Sequence, residues 1–370
     1  MYTICIIYGK MAELDRIVLK EIEYPKRMSW RLVEEWADIP LLSENDPNNP
    51  EWIPTPVVKA DLSKYGYGTV YIKDESNKES NPTGTIKDRP AWDLATIGRD
   101  YARLLDLKLK AGVLNGNVGS LSVPRLTLMT EGNAGTAIAE RFEGHGLPPI
   151  KLIVNKNMPE ERLNELMKLY ADIYMIDLDQ KALSPEEIKM FSNNPNGLDL
   201  TSVQIFEPHA VFYDWHVHEV FNEKPDEVYV PYGSGRLFEN FLTWQYRNLR
   251  NQDPRLKIQL SKLASMDIFG AEPEIRDSVA DKLTKSFNPF TILDDNDVSG
   301  LITHSFSGDH TGTYKVKEEK IKEAYRILKD LKIEAEPSGA ASLALYLQRY
   351  EAGQVDPGKK IMVVNTGKGR

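Results

Sequence analysis

The sequence contains a single cysteine, Cys5, in a chain of 370 residues. No intrachain disulfide can form, so we expect a reducing compartment, the cytoplasm. Long apolar runs are missing as well, because none approaches the ~20 residues that cross a bilayer. The apolar stretch Thr3–Tyr8 is too short for the core of a signal peptide and has no basic residues before it. These absences predict a soluble cytoplasmic protein that does not use a membrane.

An excess of positive charge is also lacking, since the formal net charge is -9. Nucleic acid is therefore not expected as a partner, because phosphate binding needs clustered Lys and Arg. The Gly-x-Ser-x-Gly turn of the α/β-hydrolases is absent too. The composition, with 41% apolar and 27% charged residues, is that of a globular protein long enough for about two domains.

Strand-like and helix-like runs alternate along most of the chain. The predicted strands are Val70–Glu75, Ala111–Leu114, Arg125–Met129, Ile150–Val154, Ile173–Ile176, Val228–Pro231, Met266–Gly270 and Ile361–Val364. The predicted helices are Trp30–Trp36, Trp92–Ile97, Thr136–Phe142, Glu160–Tyr170, Leu237–Leu242, Lys315–Lys329 and Ser338–Tyr350. Such alternation indicates βαβ units with a parallel sheet, so we predict an α/β fold.

One lysine, Lys87, follows a Pro-Thr-Gly turn in the segment Asn81–Arg89 and precedes the helical run at Trp92–Ile97. The start of a helix disfavours an ammonium, because its free N–H groups and dipole favour anions. A lysine in such a place is a candidate nucleophile, since imine chemistry needs the neutral amine. The residues alone leave open an ordinary loop whose lysine points into water.

A glycine turn, Gly233-Ser234-Gly235, joins a predicted strand to a predicted helix. Strand, glycine turn and helix together point backbone N–H groups at a phosphate. A tight connection without a ligand remains an alternative. So does a nucleotide-binding α/β protein, which would leave Lys87 without a role.

Two histidines, His216 and His218, alternate with Trp215 and Val217. We interpret this run as a strand with both histidines on one face, a spacing that can chelate metal. No cysteine or further histidine follows at ligand spacing, so we predict no metal site.

Four segments resemble, in order along the chain, those of the fold-type II pyridoxal-phosphate enzymes (the tryptophan synthase β-like superfamily). They are the lysine segment Asn81–Arg89, the loop Thr130–Gly135, the glycine turn with its helix start at Gly233–Leu237, and the C-terminal segment Asn365–Gly369. The likeness covers most of the chain from about Pro54 onward. It implies two domains with twisted, mostly parallel sheets, pyridoxal 5'-phosphate as cofactor, an amino-acid substrate and a homodimer.

The resemblance also implies roles for individual residues. Lys87 would hold the cofactor as an imine and later act as the base at the substrate Cα. The other implied cofactor contacts are Asn133 at the ring oxygen, Gly233, Ser234, Gly235, Arg236 and Leu237 at the phosphate, and Thr366 at the pyridine nitrogen. The implied substrate contacts are Thr130, Glu131, Gly132 and Ala134. For Arg236, an outward-facing helix position remains an alternative to pairing with the phosphate.

Domain boundaries follow from the same resemblance. We expect an N-terminal extension at residues 1–50, a large cofactor-binding domain at 51–92 and 205–370, and a smaller, mobile domain at 93–204.

The resemblance implies that the hydroxyl of Thr366 stands opposite the pyridine nitrogen, where it would leave that nitrogen unprotonated and favour elimination or replacement over transamination. Together with Glu336-Pro337-Ser338 and the lysine segment, this looks most like threonine synthase and its relatives. Two features depart from this pattern. Ile86 stands where that branch frequently has Phe, and the N-terminal extension at residues 1–50 is long. Cysteine synthase-type β-replacement and a serine or threonine ammonia-lyase remain alternatives, as does a catalytically silent cofactor-binding regulatory protein.

Glu131 departs from the family, which usually has Ser or Thr at this position to contact the substrate carboxylate. Because two neighbouring carboxylates repel each other or share a proton, either Glu131 turns away or the substrate carries an extra cation. Our hypothesis is that Glu131 tunes the choice of substrate. We therefore expect Glu131→Ser to change which amino acids are turned over in a substrate panel. An unchanged profile would remove this role for Glu131.

Overall fold

The computed structural model describes residues 17–20, 53–96, 98–99, 125–130, 132–180, 183, 187, 198–199, 213–252, 256–284, 300, 308 and 310–368. The chain divides into two compact units. The first unit comprises Met1–Asp46, Pro90–Phe206 and Phe287–Phe290. The second unit comprises Pro47–Arg89, Glu207–Ser286 and Thr291–Arg370.

Strands and helices alternate along the described chain. The strands are β1 (Ile17–Lys20), β2 (Val57–Asp61), β3 (Thr69–Asp74), β4 (Leu126–Met129), β5 (Ile150–Asn155), β6 (Ala171–Ile176), β7 (Leu198–Asp199), β8 (Glu227–Pro231), β9 (Asp267–Pro273), β10 (Gly312–Val316) and β11 (Ile361–Asn365). The labelled helices are α1 (Asn133–Gly144), α2 (Glu160–Leu166), α3 (Asp214–Asn222), α4 (Arg236–Arg250), α5 (Leu260–Ala264), α6 (Asp281–Thr284), α7 (Glu318–Asp330) and α8 (Pro337–Glu351). Residues 88–96 are also helical, and Ser63–Tyr65 form a 3₁₀ turn.

The sheet of the first unit has the strand order β1-β6-β5-β4-β7. Its strands are parallel except β1, which pairs antiparallel with β6. All four residues of β4 are buried, and so are all residues of β5 except Lys151. Central strands of a parallel sheet are covered on both faces, which explains why these strands read as nearly continuous apolar runs.

The sheet of the second unit has the order β10-β9-β8-β11-β3-β2, and only β2 runs antiparallel to its neighbour. The middle strand β11 pairs with β3 on one side and with β8 on the other. Every residue of β8 and β11 is buried. Helix α8 packs against this sheet through small and branched side chains such as Ala341, Leu343 and Ala344.

The predicted α/β class with mostly parallel sheets is confirmed. Among the described residues, the other predicted strands recur with shifts of a few residues at their ends. The predicted helices also recur, but the one at Leu237 continues to Arg250, the one at Glu160 ends at Leu166, and Lys315 and Val316 belong to β10 instead of a helix. The strand predicted at Ala111–Leu114 and the helix predicted at Trp30–Trp36 lie outside the described residues. No helix among those described combines the length and apolarity that a membrane crossing requires.

The strand predicted at Trp215–His218 is wrong, because these residues belong to helix α3. This helix is buried on nearly all sides, including at His216 and His218. The alternation of Trp215, His216, Val217 and His218 covers only about one helical turn, which is too short to tell a period of 2 from a period of 3.6. Within the described part of the chain, no group of three or more His, Cys, Asp or Glu side chains could hold a metal.

The C-terminal segment is joined directly to the lysine segment by backbone hydrogen bonds. The N–H of Ile86 donates to the carbonyl of Thr366, and the N–H of Lys368 donates to the carbonyl of Gly84, both at 3.0 Å. Gly367 has φ 87°, a conformation that side chains other than glycine rarely adopt. A Cβ on Gly367 would lie 2.2 Å from the Gly84 oxygen, so only glycine allows this approach.

We expect Gly367→Ala to lower the free energy of unfolding more than Gly66→Ala does. Gly66 is a matched control, because it has φ 85° but open space where its Cβ would stand. The control should cost about 1–2 kcal/mol for positive φ, and Gly367→Ala should cost about 1–3 kcal/mol more for the clash. Denaturant unfolding measures both, and equal costs would contradict the close approach.

Candidate functional site

Three predicted site segments meet at the carboxyl edge of the second unit's sheet, which we define as the carboxyl ends of β3, β11 and β8. These strands are adjacent and parallel. The lysine segment follows β3, Thr366 follows β11, and the glycine turn follows β8. Ligands of open α/β sheets bind at this edge, so the fold places these three segments where a ligand would bind.

The lysine segment is held by its own side chains. Both the N–H and the hydroxyl of Thr83 donate to Asp88 Oδ2, at 3.0 and 2.7 Å. The N–H of Lys87 donates to Thr85 Oγ1 at 3.1 Å. Helix begins at residue 88, so Lys87 stands immediately before it, as predicted from the sequence. Lys87 Nζ donates a hydrogen bond of 2.8 Å to the hydroxyl of Tyr213.

Arg89, two residues after Lys87, belongs to a group of buried charged side chains. We define this buried ion cluster as Lys73, Glu75, Arg89 and Glu219. Arg89 binds Glu75 in a bidentate manner, with Nε–Oε2 and Nη2–Oε1 both 2.9 Å. Its Nη1 is 2.9 Å from Glu219 Oε1, and Lys73 Nζ is 2.5 Å from Glu219 Oε2. The four side chains are at most 10% exposed. Two cations thus balance two carboxylates away from solvent.

Neutral side chains complete the hydrogen bonding of Glu75. The Thr55 hydroxyl donates to its Oε1 at 2.6 Å, and Asn81 Nδ2 donates to its Oε2 at 2.8 Å. His216 Nδ1 is 2.8 Å from Oε1. Among the described residues, the buried His216 Nε2 has no hydrogen-bond partner.

The electrostatics of the buried ion cluster keep its carboxylates ionised. Burial by itself raises the pKa of Glu75, but Arg89 and His216 outweigh it and hold this pKa well below its usual value. Burial likewise raises the pKa of Glu219, and Arg89 with Lys73 lowers it below the usual value. The pKa of His216 is lowered, because the effect of burial is larger than the attraction of Glu75. We therefore infer a neutral His216 whose Nδ1–H donates to Glu75.

Helix α3 presents one face to these groups. Tyr213, which precedes the helix, and His216 and Glu219 within it are spaced three residues apart and therefore share that face. They contact Lys87, Glu75 and Arg89 respectively. No sequence motif pointed to Tyr213 or Glu219, and His216 was noted only as one of two histidines at a spacing that can chelate metal. The helical spacing of Tyr213, His216 and Glu219 was the available signal, and the interpretation of the run as a strand concealed it.

The glycine turn leads into helix α4, whose N-cap Gly235 has φ 83°. The first N–H groups of a helix have no acceptor within it, so they can bind an anion. A Cβ on Gly233 would lie 3.2 Å from Leu283 Cδ2, so α6 packs closely on the turn. Arg236 Nη1 pairs with Glu239 Oε2 at 2.6 Å along α4 and is 18% exposed.

Thr366 is held between the lysine segment and the start of α8. A Cβ on Gly339 would lie 2.9 Å from Asn365 Oδ1 and 3.2 Å from Thr366 Oγ1. Glycine at this position therefore lets α8 begin against the C-terminal segment. Asn365 Nδ2 donates to Asp74 Oδ1 at 3.0 Å, which ties the ends of β11 and β3 together.

The loop at Thr130–Gly135 belongs to the first unit and follows β4. The Thr130 hydroxyl accepts the N–H groups of Gly132 and Gly135 at 3.0 and 3.2 Å, and Asn133 begins α1. Ala134 lies in the first turn of that helix and is partly buried. Glu131 lies outside the described residues.

The donor groups at the carboxyl edge fit pyridoxal phosphate. A primary amine, Lys87, can condense with an aldehyde, and the N–H groups that open α4 suit a phosphate. The Thr366 hydroxyl can hydrogen-bond a ring nitrogen without carrying a charge. Gly233 and Gly339 leave no room for side chains where these segments approach their neighbours.

The sequence was compared with models of known protein families and matches one of them. The family model described as "Pyridoxal-phosphate dependent enzyme" matches residues 49–367. No curated protein matches the chain.

Solved structures share the fold at low identity. The serine racemase from Dictyostelium discoideum is 19% identical with a TM-score of 0.54, over 85% of this chain and 92% of that one. The diaminopropionate ammonia lyase from Escherichia coli is 14% identical with a TM-score of 0.58, over 96% and 93%. The O-acetylserine-dependent cystathionine beta-synthase from Helicobacter pylori is 18% identical with a TM-score of 0.55, over 86% and 93%.

We expect Arg89→Met to destabilise the protein by about 3–5 kcal/mol at neutral pH, because it leaves the buried Glu75 without its cation and leaves Glu219 with Lys73 alone. This cost should shrink as the pH falls from about 8 to about 5. In the wild type, the lowered pKa of Glu75 and Glu219 gives stability that is lost only below their unfolded value of about 4.3. The variant instead gains stability as its buried carboxylate or His216 takes up a proton.

Denaturant unfolding across this pH range measures the effect. Lys322→Met is the control, because its pair with Glu318 is long, 3.5 Å, and Lys322 is 50% exposed. The control should change stability by less than about 1 kcal/mol at every pH. A cost of Arg89→Met that does not vary with pH would contradict the electrostatic account.

Proposed function

The chain belongs to the family of pyridoxal-phosphate-dependent enzymes, and from this we propose that it catalyses elimination or replacement on a hydroxy- or O-activated amino acid. Its nearest relatives in mechanism would be threonine synthase and related lyases. The observation that carries the proposal is the hydroxyl of Thr366 at the carboxyl edge, next to the lysine segment.

Pyridoxal phosphate, when bound, supplies an electron-withdrawing ring that stabilises negative charge at the substrate Cα. Lys87 Nζ would hold it covalently. Once the substrate amine has taken its place, Lys87 would be the base that removes the Cα proton. The hydrogen bonds of Thr83, Asp88 and Arg89 fix the backbone on both sides of Lys87, so its reach is limited to its own side chain.

The remaining residues would bind and orient. The N–H groups of Gly233, Ser234, Gly235 and Leu237 would hold the phosphate. Arg236 pairs with Glu239 in the structure, so a contact with the phosphate would require it to share or leave that partner. Asn133 would hold the ring oxygen, and Thr130, Glu131, Gly132 and Ala134 would surround the substrate carboxylate.

Thr366 would favour this reaction over transamination. Its hydroxyl would hydrogen-bond the ring nitrogen without giving it a charge, so the bound ring would take up less of the negative charge at Cα. Loss or exchange of a group at the neighbouring carbon would then be favoured over transamination. The names of the similar solved structures, an ammonia lyase and an O-acetylserine-dependent synthase, support both elimination and replacement as outcomes.

The domain and assembly expectations belong to the same proposal. Residues 93–204 would form a smaller mobile domain, residues 51–92 and 205–370 a large domain, and residues 1–50 an extension. The protein would act as a homodimer in the cytoplasm. Family resemblance supports these points.

Lys87→Ala tests the assignment. Purified wild-type protein loaded with pyridoxal phosphate should be yellow, and the variant should lack the absorbance of the lysine linkage. A panel of hydroxy amino acids and their O-acetyl and O-phospho derivatives, with and without sulfide, should change the wild-type spectrum and release product for at least one member. Lys78→Ala is the control, since Lys78 is exposed and should not alter the spectrum.

Two other outcomes of this experiment would contradict the proposal. A colourless wild type that stays colourless with added cofactor would overturn the role of Lys87. A yellow protein that turns over no amino acid would favour the catalytically silent alternative.

A further inference from the structure

Tyr213 is a polar side chain at the carboxyl edge for which no sequence motif gave a role. Its hydroxyl accepts the hydrogen bond of Lys87 Nζ at 2.8 Å, and Nζ is 5.4 Å from the centre of its ring. Tyr213 is 6% exposed. Both residues belong to the second unit, so the contact lies within one compact body.

The position of Tyr213 is determined by the buried ion cluster. Tyr213 directly precedes helix α3, and that helix is held through His216 to Glu75 and through Glu219 to Arg89 and Lys73. Arg89 also fixes the backbone two residues after Lys87. The donor and the acceptor of the Lys87–Tyr213 bond are therefore fixed by the same set of ion pairs.

We propose that Tyr213 is a positioning residue that holds the free amine of Lys87 while this amine exchanges a proton with the substrate. The inference rests on the proposed function of Lys87. A lysine side chain carries its amine on a flexible chain of four carbons and has a high rotamer entropy. A hydrogen bond donated by Nζ to the phenol oxygen restricts that freedom and leaves the nitrogen lone pair available.

The proton transfer balances without a further reactant. The C–H bond at the substrate Cα breaks, its electron pair stays on carbon, and a new N–H bond forms on Lys87 Nζ. The resulting ammonium keeps donating one N–H to the Tyr213 oxygen, which retains its own proton throughout. Tyr213 thus acts through Lys87 and needs no contact with the substrate.

Tyr213→Phe removes the oxygen and retains the ring. In the loaded enzyme we expect kcat to fall about 10- to 100-fold, since orientation of a base contributes effects of this size. The KM for the amino acid should stay within about two-fold, because Tyr213 is not assigned to substrate binding. The kinetic isotope effect with a Cα-deuterated substrate should rise, because proton removal becomes the slow step.

A second readout does not depend on activity. In the cofactor-free full-length protein, an amine-selective reagent should label Lys87 at least about three-fold faster in Tyr213→Phe than in wild type, because the amine is no longer held. Mass spectrometry quantifies labelling at this one residue. A role of Tyr213 in packing alone predicts no such increase, since the ring is retained.

Tyr67→Phe is the matched control. Tyr67 is a buried tyrosine of the same unit whose hydroxyl bonds charged partners, Glu323 and Glu351 at 2.7 Å. It precedes β3 and therefore lies at the opposite edge of the sheet. The control should leave the kcat, the isotope effect and the labelling of Lys87 at wild-type levels.

The outcomes separate this inference from the proposed function. Borohydride reduction and mass spectrometry of the wild type show whether the cofactor is attached to Lys87, and attachment elsewhere would overturn both. Attachment at Lys87 with a Tyr213→Phe protein that matches wild type in kcat, isotope effect and labelling would overturn only the role of Tyr213. If Tyr213→Phe does not fold, 4-methylphenylalanine at position 213, which keeps the ring and the shape of tyrosine but lacks the oxygen, is measured by the same criteria.

Discussion

The bidentate ion pair between Arg89 and Glu75, completed by Glu219, is the interaction on which the candidate site depends. Burying charges is costly, and their attraction compensates only when the geometry satisfies every hydrogen bond. The pair meets this condition, since Thr55, Asn81 and His216 fill the remaining acceptor positions of Glu75. Because a misaligned arrangement would leave a buried charge unpaired, the ion pairs specify one relation between the end of β3, the lysine segment and helix α3.

The carboxyl edge brings together segments that are far apart in the chain. Three adjacent parallel strands end there, and each continues into a segment with its own donor group. Glycines at the contacts let the backbones approach more closely than any other residue would allow, as at Gly339 and Gly367. The Cα of Lys87, the first turn of α4 and the backbone of Thr366 are thus positioned by backbone geometry, which is the kind of preorganisation that catalysis requires.

The sequence predicted the α/β class, most strands and helices, and the segments that carry Lys87, Gly233–Gly235 and Thr366. It did not identify the face of α3 formed by Tyr213, His216 and Glu219. The difference lies in the range of the interactions. Turn glycines and apolar periodicity express local preferences of the chain, whereas Glu75 and Glu219 are separated by more than a hundred residues and belong to no local pattern.

The sequence by itself therefore determined which chemical groups the site offers and in which kind of sheet they stand. Only the tertiary structure decided what surrounds them, because ion pairs such as Arg89 with Glu219 form between side chains that meet only once the sheet and its helices have packed. The helix at Trp215–His218 shows the same limit. Its polar side chains are buried together with its apolar ones, and their partners, such as Glu75 for His216, are supplied only by the packed unit.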